Sequence, residues 1–307
     1  MNGRVTEPIL VTGATGNVGG AVLQQLLEAG HRVRAAVTTP ERARASFTNH
    51  LETGRLEVVR FEFGKPETYP AAFDGVRACF LMRPPAVSDT KHLMLPAIDA
   101  GAAQGVRRWV FLSLQGAERN PVVPHAAVEH HLDHLGKDGV LTYTFLRAAF
   151  FLQNLSTTHR ADIARLHDIY IPAGNGKTAF VDARDVAAVG VKALTVSDAE
   201  LESLGLRNAG VELTGNEALT YTEVATIMTR VLGVEITYSN PSNIAFGLHL
   251  RQQGVPLPQI LVMEALYTVA KLGLAGKLTG EVQRILGRAP ISVEQFVRDH
   301  ADVWRQL

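Results

Sequence analysis

Three glycines at the spacing G-x-x-G-x-x-G carry the plainest chemistry in this chain: Gly13, Gly16 and Gly19 in Thr12-Gly13-Ala14-Thr15-Gly16-Asn17-Val18-Gly19. They follow a short apolar run at residues 9–12. They open a helical pattern over residues 17–29, in which Val18, Val22, Leu26 and Ala29 share one face. Between a strand and a helix, such glycines permit a tight turn and let backbone N–H groups approach a pyrophosphate. The helix start adds unpaired N–H groups and the positive end of its dipole. Gly19 would let the helix pack closely on the strand. Gly13, Ala14, Thr15, Gly16, Asn17, Val18 and Gly19 are therefore candidate dinucleotide-binding residues, with a plain glycine-rich turn as the alternative.

The end of the second strand pattern, residues 32–37, bears on which dinucleotide is used. A carboxylate about 20 residues past the first glycine would hold the ribose 2′-hydroxyl of NAD(H). Here the chain reads Val37-Thr38-Thr39-Pro40. A 2′-phosphate meets no negative charge in that stretch, and Thr38, Thr39, Arg42 or Arg44 could contact it. NADP(H) is favoured over NAD(H), with Arg42 and Arg44 as solvated helix residues the alternative. Glu62 and Phe63, after the third strand pattern (residues 56–61), are placed beside the adenine. Met82 and Arg83 end the fourth (residues 78–82). Ser113 and Gln115 lie at the end of the fifth (residues 109–113), on the edge where ligands enter open α/β sheets. Ordinary packing is the alternative for each.

The elements that must position these residues alternate strand and helix through the first half of the chain, the pattern of βαβ units. Further helices are read at residues 89–104, with a kink at Pro96, and at 124–135; a sixth strand is read at 141–146. Beyond it come a helix at 182–194 and a strand at 207–213. The rest is mostly helical, at 222–232, 258–272 and 293–304, with a short strand at 234–238. The fold class is α/β: a Rossmann-type doubly wound parallel sheet with a smaller, mostly helical C-terminal lobe. Residues 1–155 form the NAD(P)-binding core, to which 177–213 return. Residues 156–176 and 214–307 form an acceptor lobe. Phe150 and Asn154, after the sixth strand, and Phe246, Met263 and Tyr267 would line it, with core packing as the alternative.

Thirty basic and thirty acidic residues give a formal net charge of zero, which argues against nucleic-acid binding by phosphate neutralisation. No run approaches the ~20 apolar residues of a membrane span, and residues 1–8 lack the apolar stretch of a signal peptide. The expectation is a cytoplasmic protein, monomer or homodimer, whose partner is a small-molecule acceptor, with no nucleic acid and no membrane. The single cysteine, Cys79, sits in an apolar run and is read as buried strand filler. His130, His131 and His134 lie near Asp133, but without the H-E-x-x-H order or a clearly spaced third ligand. No metal is expected. No G-x-S-x-G elbow points to a hydrolase.

The chain resembles the NmrA-like branch of the atypical short-chain dehydrogenases/reductases along nearly its whole length. The marks are Val11 to Gly19; Thr144-Phe145-Leu146-Arg147 followed by Phe150-Phe151-Leu152-Gln153-Asn154; Asp182-Ala183-Arg184-Asp185-Val186-Ala187; Leu213 to Thr220; and Gly287-Arg288-Ala289-Pro290 leading to Phe296. The resemblance implies an NADP(H)-dependent reductase that passes hydride to a small electrophilic acceptor such as a quinone. The alternative it allows is a non-catalytic NAD(P)-sensing regulator that binds a protein partner. Members often carry an arginine where this chain has Thr38. Short-chain dehydrogenases of the usual kind hold Tyr-x-x-x-Lys on the helix after the fifth strand, where this chain has Pro121 and His125. Tyr267 and Lys271 repeat the spacing only by chance. Epimerase or dehydratase chemistry is therefore disfavoured. His125, with Glu129 four residues on, resembles the arrangement in quinone-reductase-like members and is the candidate catalytic residue. It would border the nicotinamide ribose or the acceptor and could supply a proton, with a helix-surface imidazole as the alternative. Hydride transfer to a quinone needs positioning more than a strong acid.

Overall fold

In the computed structural model, residues 7–51 and 54–305 are described. Residues 1–6, on which most of the reading of the N-terminus falls, lie outside them. The chain divides into two compact units: residues up to Ala148 together with Ala183–Leu213, and Ala149–Asp182 together with Thr214–Leu307.

The first unit is built on β1 (Ile9–Thr12), β2 (Val33–Val37), β3 (Leu56–Arg60), β4 (Ala78–Met82), β5 (Arg108–Leu114) and β6 (Thr142–Ala148). β7 (Phe150–Phe151) and β8 (Thr178–Val181) belong to the second unit, and β9 (Ala209–Leu213) returns to the first. The central sheet has the order β3-β2-β1-β4-β5-β6-β9, and every pairing in it is parallel. This is the doubly wound Rossmann arrangement, with the strand order reversing between β1 and β4. Helices cover both faces, so the central strands read as continuous apolar runs and not as alternation. One face carries Asn17–Glu28 and Ala183–Thr195, packed on each other. The other buries Phe61, Phe73, Trp109 and Phe111 beneath Tyr69–Phe73, Leu95–Ala103 and Pro124–Lys137.

Arginines at the N-terminal edge of the sheet have a structural task. Flanking helices end there with unpaired carbonyls and the negative end of the dipole. Arg107 Nη1 donates to Ala102 O (2.5 Å), Arg108 Nη1 to Val196 O (2.5 Å), and Arg34 Nη1 to Ala72 O (3.2 Å) and Asp74 O (2.5 Å). Pro96 breaks its pattern into Thr90–Leu93 and Leu95–Ala103, as the missing N–H requires.

The second unit holds a small sheet of order β10-β8-β7, with β10 (Ala218–Leu219) antiparallel to β8. Its helices surround Phe180, Tyr221, Met228, Phe246, Phe296 and Trp304. The helix Tyr221–Leu232 starts in a capping box, Thr220 with Glu223, and stops at Gly233 in the left-handed region. Three expectations need correction here. Residues 149–155 and 177–182 lie in this unit, because β8 pairs with β7 and β10 instead of the central sheet. The strand read at 234–238 reduces to one bridge, Asp168 to Thr237. The pattern over 293–304 is two helices, Val293–Asp299 and Ala301–Arg305, parted at His300. The helix Asn243–Gln252 was not read at all; its outer side carries Ile244 and Leu248, so no polar face marks its period. Among the described residues, no helix is long and apolar enough to cross a membrane.

Candidate functional site

The glycine loop joins the C-terminal end of β1 to the helix Asn17–Glu28 at the point where the strand order reverses. Gly13 sits at φ +61°, and a Cβ there would overlap the methyl of Met82, whose Sδ would lie 3.3 Å away. A Cβ on Gly19 would overlap Gly13 O and lie 2.9 Å from Thr12 O, so the close helix–strand approach needs glycine. Gly16 N donates to Gly13 O (2.9 Å), closing the turn. Gly16 is the N-cap of the helix and offers no side chain to it. Thr15, Gly16 and Asn17 are exposed, while Ala14 and Val18 are buried beneath them. Thr12 Oγ1 donates to Phe80 O (3.2 Å) and accepts from Met82 N (2.8 Å), which ties β1 to β4 and sets Met82 against Gly13. The cradle is shaped by missing side chains and lined by backbone amides, so its residues fit a dinucleotide pyrophosphate.

At the ends of β2 and β3 lies a cavity of about 430 Å³, lined by Thr38, Pro40, Glu41, Arg44, Val58, Val59 and Arg60. Arg60 was missed in the sequence. It stands beside Val37 in strand register, one residue before Thr38, with its side chain 60% exposed and Nη2 3.9 Å from Glu62 Oε2. Glu62 is also held by Lys65 Nζ at 2.7 Å. Arg44 Nη2 donates to Val58 O (3.2 Å). Arg42 is exposed on the helix Pro40–Ser46 and is not among the lining residues, unlike the expectation that it serves this site. Phe63 packs edge-on against Phe61, with ring centroids 4.9 Å apart.

The ends of β5, β6 and β9 carry a buried ionic network. Glu129 is only 5% exposed. Its Oε1 accepts from Ser113 Oγ (2.5 Å) and Arg147 Nε (3.1 Å), and its Oε2 from Arg147 Nη2 (2.6 Å). Glu118 Oε2 lies 3.4 Å from Arg147 Nε. Glu212 binds Gln115 Nε2 (3.3 Å) and Arg119 Nη2 (3.2 Å). Burial works against the charge of Arg147, but the hydrogen bond and charge of Glu129 outweigh it and hold its pKa above the ordinary value. Glu129 is thus committed to Ser113 and Arg147, not to His125. The one signal for this network was a lone arginine inside the apolar run Thr144-Phe145-Leu146-Arg147.

His125 Nε2 accepts from Arg83 Nε at 3.4 Å. Arg83 Nη1 is anchored by the carbonyls of Pro84 (3.1 Å), Pro85 (3.3 Å) and Val87 (2.6 Å). Burial, and then the charge of Arg83, depress the His125 pKa to about 4. The ring is therefore neutral near pH 7, and Nδ1 carries its proton. Among the described residues that buried nitrogen has no partner. His125 is neither a solvated imidazole nor a charged acid; its ring is neutral and its N–H is buried. His131 binds Asp99 (2.6 Å) and His134 lies 3.5 Å from Asp138. Among the described residues, no three metal-ligating side chains converge. Burial raises the thiol pKa of Cys79.

The proposed acceptor residues all lie in the second unit. Phe246 and Tyr267 are core, their rings 5.7 Å apart, and Tyr267 OH is 2.5 Å from Nε2 of the buried His159. Packing, not an open lining role, accounts for both. Phe150, Asn154 and Met263 are half-buried. Lys271 is exposed, and Tyr267 is engaged by His159, so their spacing makes no proton relay.

Residues 5–299 match the NmrA-like family. The chain belongs to that family. It is 29% identical over 299 residues to an NAD(P)H azoreductase of Xenophilus azovorans, across 95% of this chain and 98% of that one. It is also 29% identical over 252 residues to quinone oxidoreductase 2 of Escherichia coli, across 81% and 82% of the two chains. Among solved structures, the Citrobacter sp. triphenylmethane reductase complexed with NADP(H) superimposes with a TM-score of 0.78 at 25% identity, covering 95% of this chain and 99% of that one.

Proposed function

We propose that this protein is an NADP(H)-dependent reductase that passes hydride to a small, flat electrophile such as a quinone. The observation that carries the reading is the glycine cradle at the β1/β4 switch, where Gly13 and Gly19 leave no room for a side chain. The relatives named as azoreductase, quinone oxidoreductase and triphenylmethane reductase support the reaction class. NADP(H) is preferred over NAD(H): no carboxylate stands at Thr38, and Arg44 and Arg60 border the neighbouring cavity.

When bound, reduced nicotinamide supplies the hydride. The chain itself supplies position and polarity. Thr12 fixes Met82 under the loop. Ser113 Oγ donates to Glu129, so its remaining hydrogen-bonding capacity is as an acceptor, suited to an amide donor. His125 is neutral and holds Arg83 through Nε2, and the Arg83 guanidinium can steady a developing oxyanion without being a strong acid. Such a site suits acceptors whose reduced form is stabilised by its own conjugation.

The test is oxidation of NADPH and NADH against a panel of quinones and azo dyes, alongside a binding titration. NADPH-dependent turnover of at least one acceptor is expected. Clean NADPH binding with no turnover of any acceptor would replace the reading with a cofactor sensor.

A further inference from the structure

Large aliphatic side chains are ordinarily scattered singly over a folded surface. In the second unit they gather on two consecutive helices. Ile244 (77% exposed) and Leu248 (61%) stand out from Asn243–Gln252. Along Leu257–Lys271, Ile260, Tyr267 and Ala270 mark the buried side. At 100° per residue, Leu257, Leu261, Val262, Leu266 and Val269 fall on the opposite half, which Leu272 extends; all six are 41% to 67% exposed. A helix apolar on both sides belongs in an interior.

The two helices pack on each other. A Cβ on Gly247 would lie 2.7 Å from Glu264 Oε1 and 3.6 Å from Ile260 Cγ2, so the helices meet closely there. Asn243 Nδ2 also donates to Thr268 Oγ1 (3.4 Å), so the two helices run antiparallel, with Ile244 and Leu248 on either side of Gly247 in sequence. Together these side chains expose on the order of 800 Å², beyond the roughly 300–600 Å² of the largest patch on an ordinary monomer. It is about the share that each partner contributes to a standard protein interface.

We infer that a second copy of this chain covers this face, with the two-helix layers of two protomers meeting across a twofold axis. An isologous contact needs a surface that can meet its own copy, and the exposed side chains Leu257, Leu261, Val262, Leu266 and Val269 are all aliphatic. The exposed Ala265 lies at its midpoint, small enough for two antiparallel helices to cross closely. A twofold axis through Ala265 sets Leu261 of one protomer opposite Val269 of the other, twice. The helix's two charged residues point elsewhere: Glu264 is turned toward Gly247, and Lys271 toward Gly174, where a Cβ would lie 3.1 Å from its Cγ.

Sedimentation velocity on the full chain tests this. Wild type is expected to run at twice the monomer mass at micromolar concentration. Leu261→Glu alone and Val269→Lys alone are expected to raise the dimer dissociation constant about 100-fold or more, because each buries an unpaired charge. Both positions are solvent-facing in the single chain, so the melting temperature and NADPH binding should stay near wild type. The double variant L261E/V269K sets opposite charges across the axis twice and should recover the dimer. A wild type that stays monomeric, or that instead sediments with anionic lipid vesicles, overturns the inference. So does a Leu261→Glu variant that remains dimeric, or a double variant that fails to re-associate.

Discussion

Removing the Arg60 guanidinium should weaken NADPH binding while leaving NADH almost untouched. Arg60 stands in register with Val37 at the end of β3 and borders the cavity that holds Thr38 and Arg44. A charge-assisted arginine–phosphate contact contributes about 1.5–3 kcal/mol when well shielded from water. Shielding here is partial: the side chain is 60% exposed and the Glu62 carboxylate competes at 3.9 Å. A smaller value therefore applies, about 1–2 kcal/mol, or about 5–30-fold in Kd. NADH lacks the 2′-phosphate, so its Kd should move less than about twofold. Fluorescence titration of Arg60→Ala with both cofactors at low and high salt reads the difference. The NADPH deficit should shrink as salt rises, because the contact is solvent-facing. Glu41 lines the same cavity with the wrong sign for a phosphate, so Glu41→Gln should tighten NADPH about twofold. Equal loss for both cofactors would mean that Arg60 acts through the fold; no loss for either would put the 2′-phosphate elsewhere. Either result refutes the reasoning.

Gly13→Ala should abolish measurable dinucleotide binding and lower stability by about 1–2 kcal/mol, since φ +61° is strained for alanine and its Cβ meets Met82; Met82→Ala in the same chain should relieve only the contact. Glu129→Ala should cost about 1–3 kcal/mol in denaturant unfolding, because Ser113 and Arg147 lose a buried acceptor while Glu118 still pairs with Arg147; Glu129→Gln should cost less by keeping an acceptor for Ser113. His125 and the buried His159 both titrate at about 4 when folded, below the ordinary 6.5, so the unfolded chain binds the extra protons. Stability is therefore full above pH 6.5 and lost as pH falls toward 4, by about 3 kcal/mol for each histidine. Chemical denaturation at pH 7.5 and pH 4.5 checks this, and His125→Asn should flatten the slope. Hydride transfer by wild type should show no ionisation from His125 between pH 6 and 8. A kinetic pKa near 6.5 that disappears in His125→Ala would contradict the neutral assignment.

The Rossmann half was legible because its signals are local. The run Ile9–Thr12 followed by Gly13, Gly16 and Gly19 states strand, turn and helix within eleven residues, and buried parallel strands show as unbroken apolar runs. What could not be read depends on contacts distant in sequence. Glu129 was associated with His125 because four residues place both on one helical face. Its actual partners come from β5 and β6. Arg60 was passed over as a strand-end charge; only pairing with β2 brings it to the cavity. Phe246 and Tyr267 were offered as lining because an aromatic on a helix carries no mark of which side is covered. The fragments β7, β8 and β10 are two to four residues each, too short for periodicity to speak.

The polar groups at the ends of β4 and β5 limit the reaction class more firmly than the glycine loop does. A carbonyl with no conjugation becomes an alkoxide on hydride attack and needs a proton from a group poised near pH 7. The groups here are settled otherwise. Ser113 donates its hydroxyl hydrogen bond to Glu129, and Glu129 is paired with Arg147. His125 is kept neutral by burial and by Arg83. Pro121 lies in the turn before the helix Pro124–Lys137 and carries no ionisable group. None of them is a strong acid at neutral pH, yet Arg83 is the kind of group that favours negative charge. That combination suits an acceptor whose reduced form is already a stable, delocalised anion and takes its proton from water afterwards. Quinones meet that demand and simple ketones do not, so within the proposed reductase reading the distinction between them follows from the hydrogen bond that commits Ser113 to Glu129 and from the neutral ring of His125.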